Sequence, residues 1–224
     1  MNPAFAHIDT WIFDLDLTLY PPDADIMSQV RDRIALFVRD YFEISADEAH
    51  GIRYNYWQKY GTTLSGLMVE HDIDPNTYLD FVHEVDLSKL KPCPDLRADI
   101  LALPGRKLIF TNADLPYARR VLEARGLDGV FEDIFDIHRM NHVPKPHPAS
   151  YDAICRELKL TPSTALFVED SVHNLLPAKA LGMTTIWVKH SDEADSSSHD
   201  NYVDHQIADV AEWLSSIQSF ERAI

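Results

Sequence analysis

The hydrophobic and polar positions of this chain follow two different rhythms. Residues 11–15, WIFDL, form a short apolar run that reads as a buried strand. From about residue 23 to 90 the apolar positions recur instead at helical spacing. Ile26, Val30, Ile34, Phe37 and Tyr41 make one stripe through ADIMSQVRDRIALFVRDYF. The stretch ISADEAHGIRYNYWQKYG opens with Ser45 and Glu48 in capping-box positions and stops at Gly61. Shorter helices are predicted over 64–71 and 75–84.

Beyond Pro92 the pattern alternates. Helices are predicted over 94–103, 116–125, 148–158 and 175–181, separated by the strands KLIFT, DIFDI, ALFVED and TTIWV. ADSSSHDN reads as a polar loop and 207–217 as a terminal helix. Strands alternating with helices imply an α/β fold with a mostly parallel sheet covered on both faces. Residues 1–20 and 93–224 form that core, and the helical stretch 21–92 is an insertion after the first strand. Ligands of open parallel sheets bind at the carboxyl ends of the strands, so an insertion at that point covers the site.

Composition narrows the function classes. The chain has 224 residues, 46% hydrophobic and 25% charged, enough for one core domain and a smaller insertion. No apolar run approaches the roughly 20 residues of a membrane-spanning helix. MNPAFAHIDT lacks a basic stretch before an apolar block, so no signal peptide is expected. Two cysteines, Cys93 and Cys155, are too few for a disulfide framework, which points to a reducing, cytoplasmic home. A formal net charge of −16 argues against nucleic acid as a partner.

The residues that end the predicted strands carry the candidate chemistry. The first strand runs into Asp14 and Asp16, the second into Thr111 and Asn112, and the fourth into Glu169 and Asp170, while Lys145 sits between two prolines in VPKPHP. Each piece alone has a plainer reading: a turn, a helix cap, a solvated lysine, an acidic strand end. An EF-hand reading of the first piece fails, because that loop needs Gly where Leu19 stands and Glu where Asp25 stands. Brought together by a parallel sheet, four carboxylates repel strongly, and a hard divalent cation with oxygen ligands resolves the conflict. Mg²⁺ is the usual choice where a phosphate shares the site.

In their order, DLDLT at 14–18, TN at 111–112, KP at 145–146 and EDS at 169–171, these stretches resemble the four motifs of the haloacid dehalogenase-like hydrolase superfamily. The resemblance covers nearly the whole chain and implies a Rossmann-like core with a helical cap domain. It implies that Asp14 is the nucleophile forming an aspartyl-phosphate and that Asp16 is the general acid and base. The metal, Mg²⁺, would be held by Asp14, the Asp16 carbonyl and Asp170, with Glu169 acting through water. Thr111, Asn112 and Lys145 would bind the phosphate. Many members place a second acid shortly after the fourth motif, where EDSVHN here offers Asn174.

The second aspartate favours phosphoryl transfer over dehalogenation. The stretches YWQKYGTTLSGLMVEHDID, FVHEVDLSKLKPCPDL and LPGRKLIFTNAD are similar to the pyrimidine 5′-nucleotidase branch, which implies a nucleoside monophosphate as the small-molecule substrate. Tyr54, Tyr56, Trp57 and Tyr60 offer rings to stack on a base, with Thr62 or Thr63 to read its edge; Tyr60, Thr62, Thr63 and Trp57 are the cap residues singled out. Tyr56 and Tyr60 share one helical face and Tyr54 and Trp57 another, so at least one pair packs inward. His71 and His83 read as packing residues rather than ligands. The alternatives are a phosphatase for sugar phosphates, phosphoglycolate or another small metabolite, and a phospho-accepting receiver-like signalling domain. The paired aspartates and the covering insertion speak against the last.

Overall fold

The computed structural model describes residues 3–190 and 201–219. Six parallel strands form one sheet: β1 (Thr10–Phe13), β2 (Arg106–Phe110), β3 (Asp133–Phe135), β4 (Ala165–Glu169), β5 (Thr184–Val188) and β6 (His205–Ile207). Their order is β3-β2-β1-β4-β5-β6. The central β1 pairs on one side with β2, Phe13 opposite Ile109, and on the other with β4, Phe13 opposite Val168. Chain order therefore reverses between β1 and β4, the place where open α/β sheets hold their ligands.

The central strands β1, β4 and most of β2 and β5 are buried on both faces, and their inward positions are mainly apolar. Trp11, Phe13, Ile109, Leu166, Val168, Ile186 and Val188 point to one face. There they meet Leu96 and Ile100 of α5 (Pro94–Ala102), Tyr117 and Val121 of α6 (Leu115–Ala124) and Leu214 of α9 (Val210–Ser219). Ile12, Phe110, Phe167 and Trp187 point to the other. That face is closed by Tyr151 and Ile154 of α7 (Pro148–Leu158) and Leu175 of α8 (Val172–Ala180).

Between β1 and α5 the chain makes four α-helices: α1 (Ile26–Phe42), α2 (Ala46–Tyr60), α3 (Thr63–His71) and α4 (Pro75–Val82). The Ser45–Glu48 capping box forms as expected, with Gly61 in the left-handed region at the far end of α2. Of the predicted stripe on α1, Ile26 and Val30 are buried and Ile34 and Phe37 half-buried, but Tyr41 remains exposed.

The termini of several elements depart from expectation. Residues 207–217 do not form one helix: Ile207 ends β6, paired with Val188, and the helix starts at Val210. Three residues with two exposed side chains carry no alternation from which a strand could be read. Of the expected polar loop 194–201, all but Asn201 lies outside the described residues.

Candidate active site

The register of β1 with β2 and β4 brings their carboxyl ends side by side, and three of the four motifs follow from that alone. The Asp14 N–H continues the ladder by donating to the Val168 carbonyl (2.9 Å), which fixes the Asp14 side chain next to the end of β4. Carboxylate oxygens of Asp14, Glu169 and Asp170 lie within 4.8 Å of one another. Leu15, between the two aspartates of the first motif, is fully buried in the core. Leu17 then takes φ +59°, a left-handed conformation uncommon for a non-glycine residue.

Lys145 reaches this cluster from the loop before α7. Its Nζ donates to Asp14 Oδ1 (2.6 Å), to Glu169 Oε2 (2.7 Å) and to the Phe110 carbonyl at the end of β2 (2.7 Å). All three ammonium protons are satisfied and the residue is 2% exposed. Asn112 holds the loop in place. Its Oδ1 accepts from the Lys145 N–H (2.8 Å) and its Nδ2 donates to the Lys145 carbonyl (3.1 Å). The expectation that Asn112 binds phosphate meets a different arrangement, in which its amide grips the lysine's backbone. Thr111 is buried, its hydroxyl oxygen accepting from the Ala113 N–H (3.0 Å).

Asp16 stands apart from the cluster. Its Oδ1 accepts from the phenols of Tyr20 (2.5 Å) and Tyr117 (2.8 Å). Burial raises its carboxyl above the usual range, and the two phenols work against that rise. Burial also raises Asp14 and Asp170, and the neighbouring Glu169 adds to both. Burial would lower Lys145, but Asp14 and Glu169 outweigh it and the ammonium is held above its ordinary value.

This donor set fits a hard divalent cation. Three carboxylates face a single ammonium, which leaves two negative charges unmatched, and every donor is an oxygen. Glu169 is the most committed of the three: Lys145 takes one oxygen and the Ser171 N–H donates to the other (3.1 Å). Asp14 and Asp170 are thus the side chains best placed to hold the ion. The Asp170 carbonyl accepts from the Trp187 indole N–H (2.9 Å).

Asp16 and Lys145 open onto a cavity of about 890 Å³ between the sheet and helices α1–α4. Trp57, Thr62 and Thr63, three of the four predicted cap residues, line it, and so do Tyr54, Arg31, Arg53 and His83. Tyr60 does not line it; its phenol donates to Glu70 on α3. Tyr56 turns the same way, bonded to His71 (2.7 Å) and packed over Gly66, where a Cβ would come within 2.5 Å of its ring. The inward-packing pair is therefore Tyr56 and Tyr60, and Tyr54 and Trp57 face the cavity.

Sequence reasoning missed a joint between the end of α4 and the start of α6. His83 Nδ1 lies 2.8 Å from Asp114 Oδ1, and the imidazole stacks on Tyr117 at 4.3 Å between ring centres. His83 is a packing residue as expected, but it packs on the tyrosine that holds Asp16.

The family model of a haloacid dehalogenase-like hydrolase matches residues 8–182. Phosphate metabolism protein 8 of Saccharomyces cerevisiae is 26% identical over 190 residues, 77% of this chain and 59% of that protein. Phosphoglycolate phosphatase of Pasteurella multocida is 30% identical over 102 residues, 45% of each chain. The chain thus spans about half the length of these curated relatives. A HAD phosphatase from Thermococcus onnurineus superposes with a TM-score of 0.62 over 96% of this chain and 98% of its own, at 19% identity, which shows a common fold. The match to the family model over most of the chain, with all four motifs inside it, makes this protein a member of the haloacid dehalogenase-like hydrolases.

Proposed function

We propose that the protein is a Mg²⁺-dependent phosphomonoesterase that works through an aspartyl-phosphate on Asp14 and prefers pyrimidine nucleoside 5′-monophosphates. In this reading residues 21–92 are a cap domain that selects the substrate, and 1–20 with 93–224 the catalytic core. The observation that carries it is the Asp14 carboxylate at the end of β1, anchored through one oxygen by Lys145, with Asp16 two residues on and facing a large cavity.

Asp14 Oδ2 attacks phosphorus as the bond to the ester oxygen breaks, and Asp16 gives its proton to the departing alkoxide. Asp16 suits that role because burial favours its protonated form, while Tyr20 and Tyr117 fix the carboxyl through Oδ1 and leave Oδ2 to carry the proton. Asp16 then takes a proton from water as the water oxygen attacks the aspartyl-phosphate, which releases phosphate and restores Asp14. Lys145 offsets charge on the nucleophile, and the Thr111 hydroxyl donates to a phosphoryl oxygen. Bound Mg²⁺, held by Asp14, the Asp16 carbonyl and Asp170, would neutralise the phosphate dianion that otherwise repels a carboxylate nucleophile.

The preference for a nucleotide rests on the cavity. Tyr54 and Trp57 project into it at 57% and 52% exposure, flat surfaces of the kind on which bases stack. A cavity of this size exceeds what a two-carbon ester fills. Cys93 and Cys155 are free thiols, which suits the cytoplasm as the proposed location. Phosphate release from UMP, CMP, AMP, ribose 5-phosphate and phosphoglycolate tests the reading. The expected order puts UMP and CMP first, with no release in excess chelator. A preference for ribose 5-phosphate or phosphoglycolate removes the nucleotidase assignment, and activity undiminished by chelation removes the metal.

A further inference from the structure

We infer that Arg53 selects the substrate by binding an sp² oxygen, a ring carbonyl or a carboxylate, carried by the leaving group of the ester. This rests on the reading of the site as a phosphomonoesterase but not on the identity of the nucleotide.

Among the described residues, Arg53 Nε is the one buried side-chain polar atom without a hydrogen-bond partner. A guanidinium keeps its charge at any ordinary pH, and a buried donor left unmatched is costly, so such groups call for an explanation. Arg53 lines the cavity, and no carboxylate among the described residues forms an ion pair with it. The charge of the lining is equally telling. In a chain with a formal charge of −16, helices α1–α4 supply Arg31 and Arg53 to the cavity and no carboxylate; among the described residues Asp16, from the other side, is the only acidic one lining it. That half of the cavity attracts electron-rich groups although the molecule as a whole is acidic.

The position of Arg53 defines the shape of what it binds. Arg53 and Trp57 lie one helical turn apart on α2, with Tyr54 on the same side, and all three line the cavity. A planar, conjugated group resting against the Tyr54 and Trp57 rings presents its edge to the guanidinium, whose N–H donors lie in one plane and match in-plane oxygen lone pairs. A pyrimidine 2-carbonyl and a carboxylate share that chemistry. The hydroxyl and ether oxygens of a sugar do not.

The test compares the full chain with Arg53→Met and Arg53→Lys in the presence of Mg²⁺, measuring kcat/KM for UMP, phosphoglycolate and ribose 5-phosphate. Thermal melting checks that the variants fold. Arg53→Met is expected to lose about 10–100-fold on the better of UMP and phosphoglycolate, the scale of one hydrogen bond to a charged group. The loss on ribose 5-phosphate should be at least about tenfold smaller, and Arg53→Lys should fall between Met and wild type on the preferred substrate. An equal loss on all three esters, or no loss on any, overturns the assignment. The two readings fail separately. Wild-type preference for phosphoglycolate with a selective loss in Arg53→Met supports Arg53 and removes the nucleotidase. Wild-type preference for UMP with a uniform loss does the reverse.

Discussion

At the floor of the cavity, Lys145 meets three acceptors, Asn112 clasps the lysine's backbone twice, and Asp16 takes two phenol donors. On the opposite side, Arg53 Nε has no partner and the rings of Tyr54 and Trp57 stand half in solvent. The polar groups that would do chemistry are already bonded in place before substrate arrives, which is how electrostatic catalysis avoids reorganisation during the reaction. The groups that would choose the substrate are left with an unused hydrogen-bond donor and exposed ring faces, so a matching molecule gains by covering them. The same division explains the exposure figures: position is bought with burial at the floor and forgone at the roof.

Four substitutions test this contrast. Asp14→Asn removes the proposed nucleophile and should cost kcat about 10⁴-fold or more on every ester, read by phosphate release, with the fold intact by circular dichroism. Residual activity within tenfold of wild type would mean the floor is not the reacting surface. Lys145→Met leaves Asp14 and Glu169 buried without their cation, and chemical denaturation should show a loss of about 3–5 kcal/mol. Added Mg²⁺ should return part of that stability, because it supplies the missing positive charge. Trp57→Ala, at the roof, should raise KM for UMP about tenfold and leave unfolding unchanged, the opposite of the floor pattern.

A pH-dependent effect belongs to the joint between the two regions. Burial would raise the Asp114 carboxyl, but pairing with His83 and the Tyr117 backbone N–H together more than reverse this and hold it below the ordinary range. A depressed carboxylate stabilises the fold above its unfolded value, about 3.9, and that contribution fades as pH falls through the folded value. His83→Ala should therefore cost about 1–3 kcal/mol at pH 7 and less below about pH 4, measured by denaturation at both. An equal loss at the two pH values would show that the imidazole contributes packing against Tyr117 and nothing more.

How much of this could be read from the sequence follows the range of the interactions. Strands and helices declare themselves through local period and capping: α7 and β5 begin and end where expected, and the Ser45–Glu48 box forms as its spacing requires. The motif residues converge because strand ends in a parallel sheet are neighbours whatever lies between them. Contacts that depend on side-chain direction across long separations left no local trace. Tyr117 reaches Asp16 across 101 positions and His83 reaches Asp114 across 31. Tyr60 turns away from the cavity, and period alone shows that two faces of α2 differ, not which one meets α3. Arg53 carries no local signal for the same reason. A lone arginine in a helix reads as solvated surface until its neighbours are known.

The indole of Trp187 donates to the carbonyl of Asp170, one bond network away from where a cation would settle. Tryptophan emission shifts with the electric field along its ring, and Trp187 is 4% exposed, shielded from quenching by water. With Trp11, Trp57 and Trp213 replaced by phenylalanine, Trp187 would be an optical gauge of the charge in the cleft, legible by fluorescence without any attached label.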